Sequence, residues 1–111
     1  MATATVTFRQ LLAGINAYPI PPLALNGIGA ARGLDLDAQA TTEGIKGNAY
    51  RLARADTLMW LADAPNIAQG GQNYSFSEDQ RNRFRNEAQA VYDELEPDAK
   101  RTKYGYKGSR L

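Results

Sequence analysis

The sequence predicts an all-α fold: a small bundle of about four helices, with a short β-hairpin or extended loop before the last helix and an extended basic C-terminal arm. Apolar residues recur at helical spacing in several segments, and residues typical of helix ends bracket those segments. The charge also changes abruptly near residue 100. At 111 residues the chain suits one domain, which we place at residues 1–99, followed by the arm at residues 100–111.

The first two predicted helices are short. Thr7 opens the first, because TFRQ has the spacing of a capping box, in which Thr7 and Gln10 bind each other's backbone amides. Pro22 suits the first position of the second helix, residues 23–31, and Gly33 is predicted to end it in a left-handed conformation. The acidic connector that follows is interpreted as caps rather than a metal site, because no third acid follows at the spacing of a calcium loop.

Residues 42–64 are predicted to form the longest and most deeply buried helix, which ends before Pro65. Its apolar residues cover more than half of the circumference, which indicates neighbours on at least two sides. Gly44 and Gly47 weaken its first turns, so either another element packs closely there or the first turn frays. Asp56 lies in the apolar part of this helix and is expected to be either exposed or paired with one of three arginines: Arg32, Arg81 or Arg85.

A hairpin is predicted within residues 66–77, because the two glycines Gly70 and Gly71 separate two short runs of partly alternating polarity. Tyr74 and Phe76 would then share one face. The many Asn and Gln residues favour an exposed projection that packs on a neighbouring surface. The glycines do not form a phosphate-binding loop, since the lysine and the glycine spacing of such a loop are missing.

The last predicted helix has about eighteen residues, begins with the capping box SEDQ at Ser77 and stops before Pro97. Three arginines lie off its apolar line. Acidic residues are interleaved with them, so we interpret them as a solvated face rather than a stripe that binds nucleic acid. These arginines are Arg81, Arg83 and Arg85.

Composition excludes several classes of function. The chain contains neither Cys nor His, which removes disulfides, thiolate nucleophiles and the commonest general base and metal ligand. No arrangement of acid, base and nucleophile is evident, so we expect no enzyme activity, no cofactor and no metal ion. The sequence shows neither a membrane span nor a signal peptide, which predicts synthesis in the cytoplasm.

The apolar residues are small, because alanine accounts for 18 of them. A core built from such side chains is thin, and we therefore expect the chain to be stabilised by assembly with other copies or with a partner.

The arm carries five basic and no acidic side chains, whereas the preceding 99 residues carry 8 basic and 12 acidic ones. Tyrosines interleaved with lysines suit an arm that lies across an acidic protein surface, or one that contacts phosphates; we favour the acidic surface. The expected partner contacts in the hairpin and the arm are Asn66, Ile67, Gln69, Gly70, Gly71, Gln72, Tyr74, Phe76, Lys100, Arg101, Lys103, Tyr104, Tyr106, Lys107 and Arg110.

The segments ALNGIGAARGLDL and AYRLARADTLMWLADAPNIAQGGQNYSFSEDQRNRFRNEAQAVYDE resemble the small helical head-tail connector proteins of tailed bacteriophages and prophages, also called adaptor or head-completion proteins. The similarity is to uncharacterised versions from phages of Bacteroides and relatives, and its most specific part runs from WLADAPNIAQGGQ to YSFS. Gly27 and Gly29 depart from the more regular bundle of many such proteins, which leaves the helix count open.

The resemblance implies a structural virion protein at the head-tail interface. Such subunits form rings, often of twelve copies, beneath the portal protein, and they continue the DNA channel toward the tail without binding DNA specifically. By that resemblance, residues 66–77 and 100–111 contact the portal, the neighbouring copies and the tail-side proteins. The alternative is a small nucleic-acid-binding or regulatory module, in which the arginines of the last helix and the basic arm neutralise phosphates.

Overall fold

The computed structural model describes residues 6–69 and 71–96. This part of the chain is mostly helical, with one small two-stranded antiparallel sheet, as the sequence predicts. The basic arm lies outside the described residues. The elements are α1 (Phe8–Ala13), α2 (Pro22–Arg32), α3 (Thr42–Lys46), α4 (Asn48–Asp63), β1 (Ile67–Gln69), β2 (Gln72–Tyr74) and α5 (Glu78–Leu95).

Two parts of the prediction for residues 42–64 are wrong. The chain forms two helices there, and the longest helix of the described residues is α5, with 18 residues against 16 in α4. Gly47 has an extended conformation (φ −73°, ψ 157°) and separates α3 from α4. Thr41 caps α3, since its hydroxyl accepts a hydrogen bond from the amide of Gly44 at 2.9 Å. The two glycines give this stretch so little helix propensity that one extended residue divides it, and the described residues contain five helices rather than four.

α4 is the central helix of the domain. α5 packs along one side of it, α2 packs on another, and α1 and α3 contact it as well. This confirms the prediction of neighbours on at least two sides. At the contact between α4 and α5, Ala55 and Leu58 pack against Ala88. The buried residues of α4 are distributed around its circumference: Tyr50, Ala53, Ala55, Thr57, Leu58, Leu61 and Ala62.

Local sequence determines most of the helix ends. The capping boxes at Thr7 and Ser77 both form, and Pro22 occupies the first turn of α2. Gly33 ends α2 with a positive φ of 66°, and the amide of the next residue donates to the carbonyl of Gly29 at 2.9 Å. These four ends confirm the predictions made from the capping residues.

The connector between α2 and α3 pairs with the start of the described chain, which the sequence analysis did not foresee. The amide of Ala40 donates to the carbonyl of Val6 at 2.7 Å, and the amide of Arg9 donates to the carbonyl of Leu36 at 2.9 Å. This pairing places Leu36 in a core cluster that also contains Phe8. The connector therefore forms part of the fold and does more than supply caps.

The close approach at Gly44 predicts opposite effects for two substitutions of glycine by alanine. A Cβ at Gly44 would lie 2.7 Å from Cζ of Phe8 and 3.0 Å from Oγ1 of Thr41, whereas a Cβ at Gly27 has no neighbour within 4 Å. We expect Gly44→Ala to lower the free energy of unfolding by about 1–3 kcal/mol through overpacking. Gly27→Ala is the matched control and should raise it by about 0.5–1 kcal/mol. Urea unfolding of both variants measures the two changes in free energy. A stabilised Gly44→Ala variant would contradict the expectation and would mean that the Phe8 ring moves aside to make room for the Cβ.

Candidate interaction surface

The predicted hairpin forms directly after α4. β1 and β2 pair in antiparallel register, with Ile67 opposite Tyr74 and Gln69 opposite Gln72. Gly71 has a positive φ of 80°, which suits a tight turn. The residues on the β2 side of the turn are exposed. The hairpin thus projects a polar tip from the helical body.

An aromatic cluster lies beneath the hairpin. Tyr18, which is only 4% exposed, stacks on Phe76 with 5.5 Å between ring centroids and contacts Tyr74 and Trp60 edge to face. Phe76 in turn packs edge to face against Phe84 of α5, with 5.1 Å between centroids. The hydroxyl of Tyr18 donates to the carbonyl of Pro65 at 2.5 Å. Tyr18, in the segment that precedes α2, therefore links both the base and the second strand of the hairpin to the helices.

Asn66 and Arg81 fasten the base of the hairpin through polar contacts. The side-chain oxygen of Asn66 accepts from the amide of Phe76 at 3.1 Å and from Nη2 of Arg81 at 2.7 Å. Nη1 of Arg81 also donates to the carbonyls of Ala62 and Ala64, at 2.9 and 2.6 Å. Carbonyls at the end of a helix lack partners within that helix, so Arg81 satisfies the end of α4 from the neighbouring α5.

The arginines of α5 differ in their surroundings. Arg81 is engaged as described, and Arg85 donates to the side chains of Asn82 and Asp63 at 3.0 and 3.3 Å. Arg83 is exposed and has no partner within residues 6–69 and 71–96. The interpretation of all three as a solvated face therefore fits Arg83, whereas the other two hold α5 to the end of α4.

The expected contact residues of the hairpin fall into two groups. Four of them face the protein itself: Asn66 binds Arg81, and Ile67, Tyr74 and Phe76 pack in the cluster around Tyr18. Gly71 and Gln72 are exposed at the tip, while Gln69 ends β1 and Gly70 lies outside the described residues. The arm residues Lys100, Arg101, Lys103, Tyr104, Tyr106, Lys107 and Arg110 also lie outside them.

Sequence reasoning missed Tyr18 as the anchor of this surface. It lies in the segment AYPIPP, which we interpreted only as an extended turn. An aromatic residue beside three prolines is held on a stiff backbone, and that feature could have singled it out.

Arg32 connects three helices through a second polar network. Its Nε and Nη2 donate to the two carboxylate oxygens of Asp56 at 2.6 and 2.9 Å, and Nη1 donates to Glu96 at 2.8 Å. Tyr92 also donates to Asp56, at 2.5 Å. Asp56 is thus paired with Arg32, one of the two outcomes expected. The hydrogen bond to Asp56 raises the pKa of Arg32 above its usual range, so the guanidinium stays charged.

An open groove of about 400 Å³ lies beside this network, between α2 and the end of α4. Ile28, Met59 and Trp60 contribute apolar side chains to its lining, and Asp56 and Asp63 contribute carboxylates. The surface is mainly apolar with acidic edges, which suits the binding of a basic, aromatic segment.

The described part of the chain contains no group of three or more Asp, Glu, His or Cys residues placed to hold a metal ion. Within the same residues, none of the helices is both long enough and apolar enough to span a membrane. Comparisons of the chain with protein-family models, curated proteins and solved structures gave no match.

The contacts of Tyr18 predict a graded loss of hairpin order. Tyr18→Phe removes only the hydrogen bond to Pro65, so we expect a loss of about 1 kcal/mol in the free energy of unfolding. Tyr18→Ala also removes the ring, and we expect a loss of about 3–5 kcal/mol. In the alanine variant, amide hydrogen exchange should be accelerated, relative to the unsubstituted protein, more in β1 and β2 than in α4 and α5. Equal protection of the hairpin in both variants would contradict the anchoring role.

The phenol of Tyr92 predicts a loss of stability in alkali. Burial and the hydrogen bond to Asp56 raise its pKa above the ordinary value of about 10, so the folded chain keeps a proton that the unfolded chain loses. The free energy of unfolding should therefore be constant below about pH 9 and fall as the pH rises further. Tyr92→Phe should be less stable by about 1 kcal/mol at neutral pH, with a shallower alkaline decline.

Urea unfolding of both proteins at several pH values measures this difference. Tyr50, whose pKa is also raised by burial, should leave part of the decline in the variant. Identical alkaline slopes for the two proteins would contradict the assignment to Tyr92.

Proposed function

We propose that the protein is a structural subunit of a tailed bacteriophage: a head-tail connector that forms a ring between portal and tail and continues the DNA channel. In this proposal it catalyses no reaction and holds no cofactor or metal ion. It is made in the cytoplasm of the bacterial host and functions in the virion. The proposal begins from the resemblance of residues 23–95 to such connectors, and the anchored hairpin is the structural observation that supports it most.

The hairpin suits docking because its tip is exposed while its base is firmly held. Tyr18 and Arg81 donate to backbone carbonyls just before β1, and Asn66 accepts from the backbone amide of Phe76 just after β2. A projection whose orientation is already determined loses little conformational freedom when it binds a neighbour. Repeated docking of such an element from one copy onto the next is the contact that a ring requires.

The thin core also supports assembly. The largest side chains that are less than 2% exposed are Leu12, Leu58, Leu61 and Thr57, and none of these is aromatic. Leu23 on α2 is 82% exposed and offers apolar surface for a contact. Burial against other copies would add the apolar contact area that the isolated chain lacks.

In the proposed assembly, the partners are further copies of the chain, the portal protein and the tail-side proteins. The resemblance implies a ring of twelve copies. The exposed hairpin tip and the basic arm make these contacts, and DNA passes through the ring without specific binding. The net negative charge of residues 1–99 suits a channel through which DNA slides.

The geometry does not favour the alternative of a nucleic-acid-binding module. Arg81 and Arg85 donate to groups of the chain itself, which leaves only Arg83 among the three arginines proposed to neutralise phosphates. The basic arm would then have to supply most of the affinity for a duplex.

Light scattering tests the proposal, first on the purified protein and then on its mixture with the portal protein encoded beside it. We expect a ring complex of defined stoichiometry with the portal. A persistent monomer that ignores the portal but binds duplex DNA, with an affinity that falls steeply as the salt concentration rises, would overturn the proposal and support the alternative.

The hairpin tip predicts a selective loss of assembly. Asn73 in β2 and Asn86 in α5 are both exposed, so Asn73→Lys and Asn86→Lys form a matched pair. We expect each to change the free energy of unfolding by less than about 0.5 kcal/mol. Only Asn73→Lys should weaken the complex with the portal or between copies, as measured by light scattering. Equal assembly of the two variants would show that the tip is not a contact.

A further inference from the structure

We infer that the groove between α2 and α4 is the binding site for the chain's own basic arm, residues 100–111. This inference goes beyond the proposed ring and does not depend on it, because it concerns the position of the arm in a single free chain. The residues that line the groove are Ile28, Asp56, Met59, Trp60, Asp63, Ala64 and Pro65.

The point at which the described chain ends supports this occupant. Glu96, the last described residue, accepts a hydrogen bond from Arg32 at 2.8 Å, and Arg32 binds Asp56 at the border of the groove. Glu96, from which the chain continues toward the arm, is therefore linked to the groove through the side chains of Arg32 and Asp56. The 15 residues that follow Glu96 can span about 50 Å when extended, which is ample for the arm to enter the groove.

The composition of the arm also matches the chemistry of the groove. The groove is lined by the apolar side chains of Ile28, Met59 and Trp60 and by the carboxylates of two aspartates. The arm contains two tyrosines interleaved with basic residues and no acidic residue. The tyrosine rings of the arm can cover the apolar lining of the groove while its lysine ammonium groups lie near the aspartates. A lysine ammonium can also make a cation–π contact with the face of Trp60.

Charge at the edge favours a cationic segment. The side chain of Asp63 is 77% exposed, and within residues 6–69 and 71–96 its one ion pair is a 3.3 Å contact with Arg85. Glu96 and Asp56 share the single guanidinium of Arg32, so three carboxylates at this site face two arginines. A second copy could supply the same arm, but the arm of the same chain is tethered through Glu96, which binds Arg32 next to the groove, and therefore has the higher effective concentration.

The chain is well suited to a direct test, because it contains one tryptophan and no cysteine. Trp60 lines the groove, and Ser109→Cys allows a dansyl group to be attached near the end of the arm. Energy transfer from Trp60 to the dansyl group in the full chain then reports their proximity. We expect efficient transfer at low salt and the loss of most of it at high salt, since the edge contacts are electrostatic.

Two additions make the test decisive. Asp63→Lys should abolish most of the transfer, whereas Glu43→Lys, an exposed acid on α3 with the same change in charge, should leave it intact. A large excess of unlabelled chain should not change the transfer if the arm lies in its own groove. Loss of energy transfer in the presence of excess unlabelled chain would mean that the arm comes from a second copy, and it would overturn the inference. Transfer that is weak at low salt, or equal in the two charge variants, would also overturn it.

Discussion

Alanine at the contacts of α4 sets how closely the neighbouring helices pack against it. Ala53 and Ala55 are fully buried and Ala62 is 1% exposed, so the backbones of the neighbouring helices can approach α4 closely from different sides. Close packing of small side chains gives good van der Waals contact but removes little apolar surface from water per residue. The elements around α4 therefore need other links to hold their positions.

Arginine supplies many of these links. Arg32 connects α2 to α4 and to the end of α5, and Arg81 connects α5 to the last carbonyls of α4. Both side chains are partly buried, and each makes several charge-assisted hydrogen bonds to acceptors on other elements. The exposed pairs Arg51–Glu94 and Arg54–Glu87 also join α4 to α5, but such pairs contribute little to stability in water. The orientation of the helices thus depends on a few directional contacts as much as on the core.

Local features of the sequence predicted local features of the structure. Thr7, Ser77 and Gly33 mark helix ends because each acts on amides or carbonyls within a few residues. The break at Gly47 was missed because low helix propensity does not show whether a chain bends or merely frays. The role of Arg81 was missed for a different reason: its acceptors are backbone carbonyls of another helix, and backbone groups have no sequence pattern of their own. For the candidate surface, the hairpin was predictable from its glycines, whereas its anchoring by Tyr18 is a contact between residues 47 positions apart.

The anchored hairpin separates the residues that stabilise the fold from those that are exposed at its tip. The residues that hold its base, Tyr18, Asn66 and Arg81, are bound to the helical body, while Gln72 and Asn73 at the tip are exposed. Substitutions at the tip can therefore accumulate over evolutionary time at little cost to stability, while the scaffold that holds the hairpin stays the same.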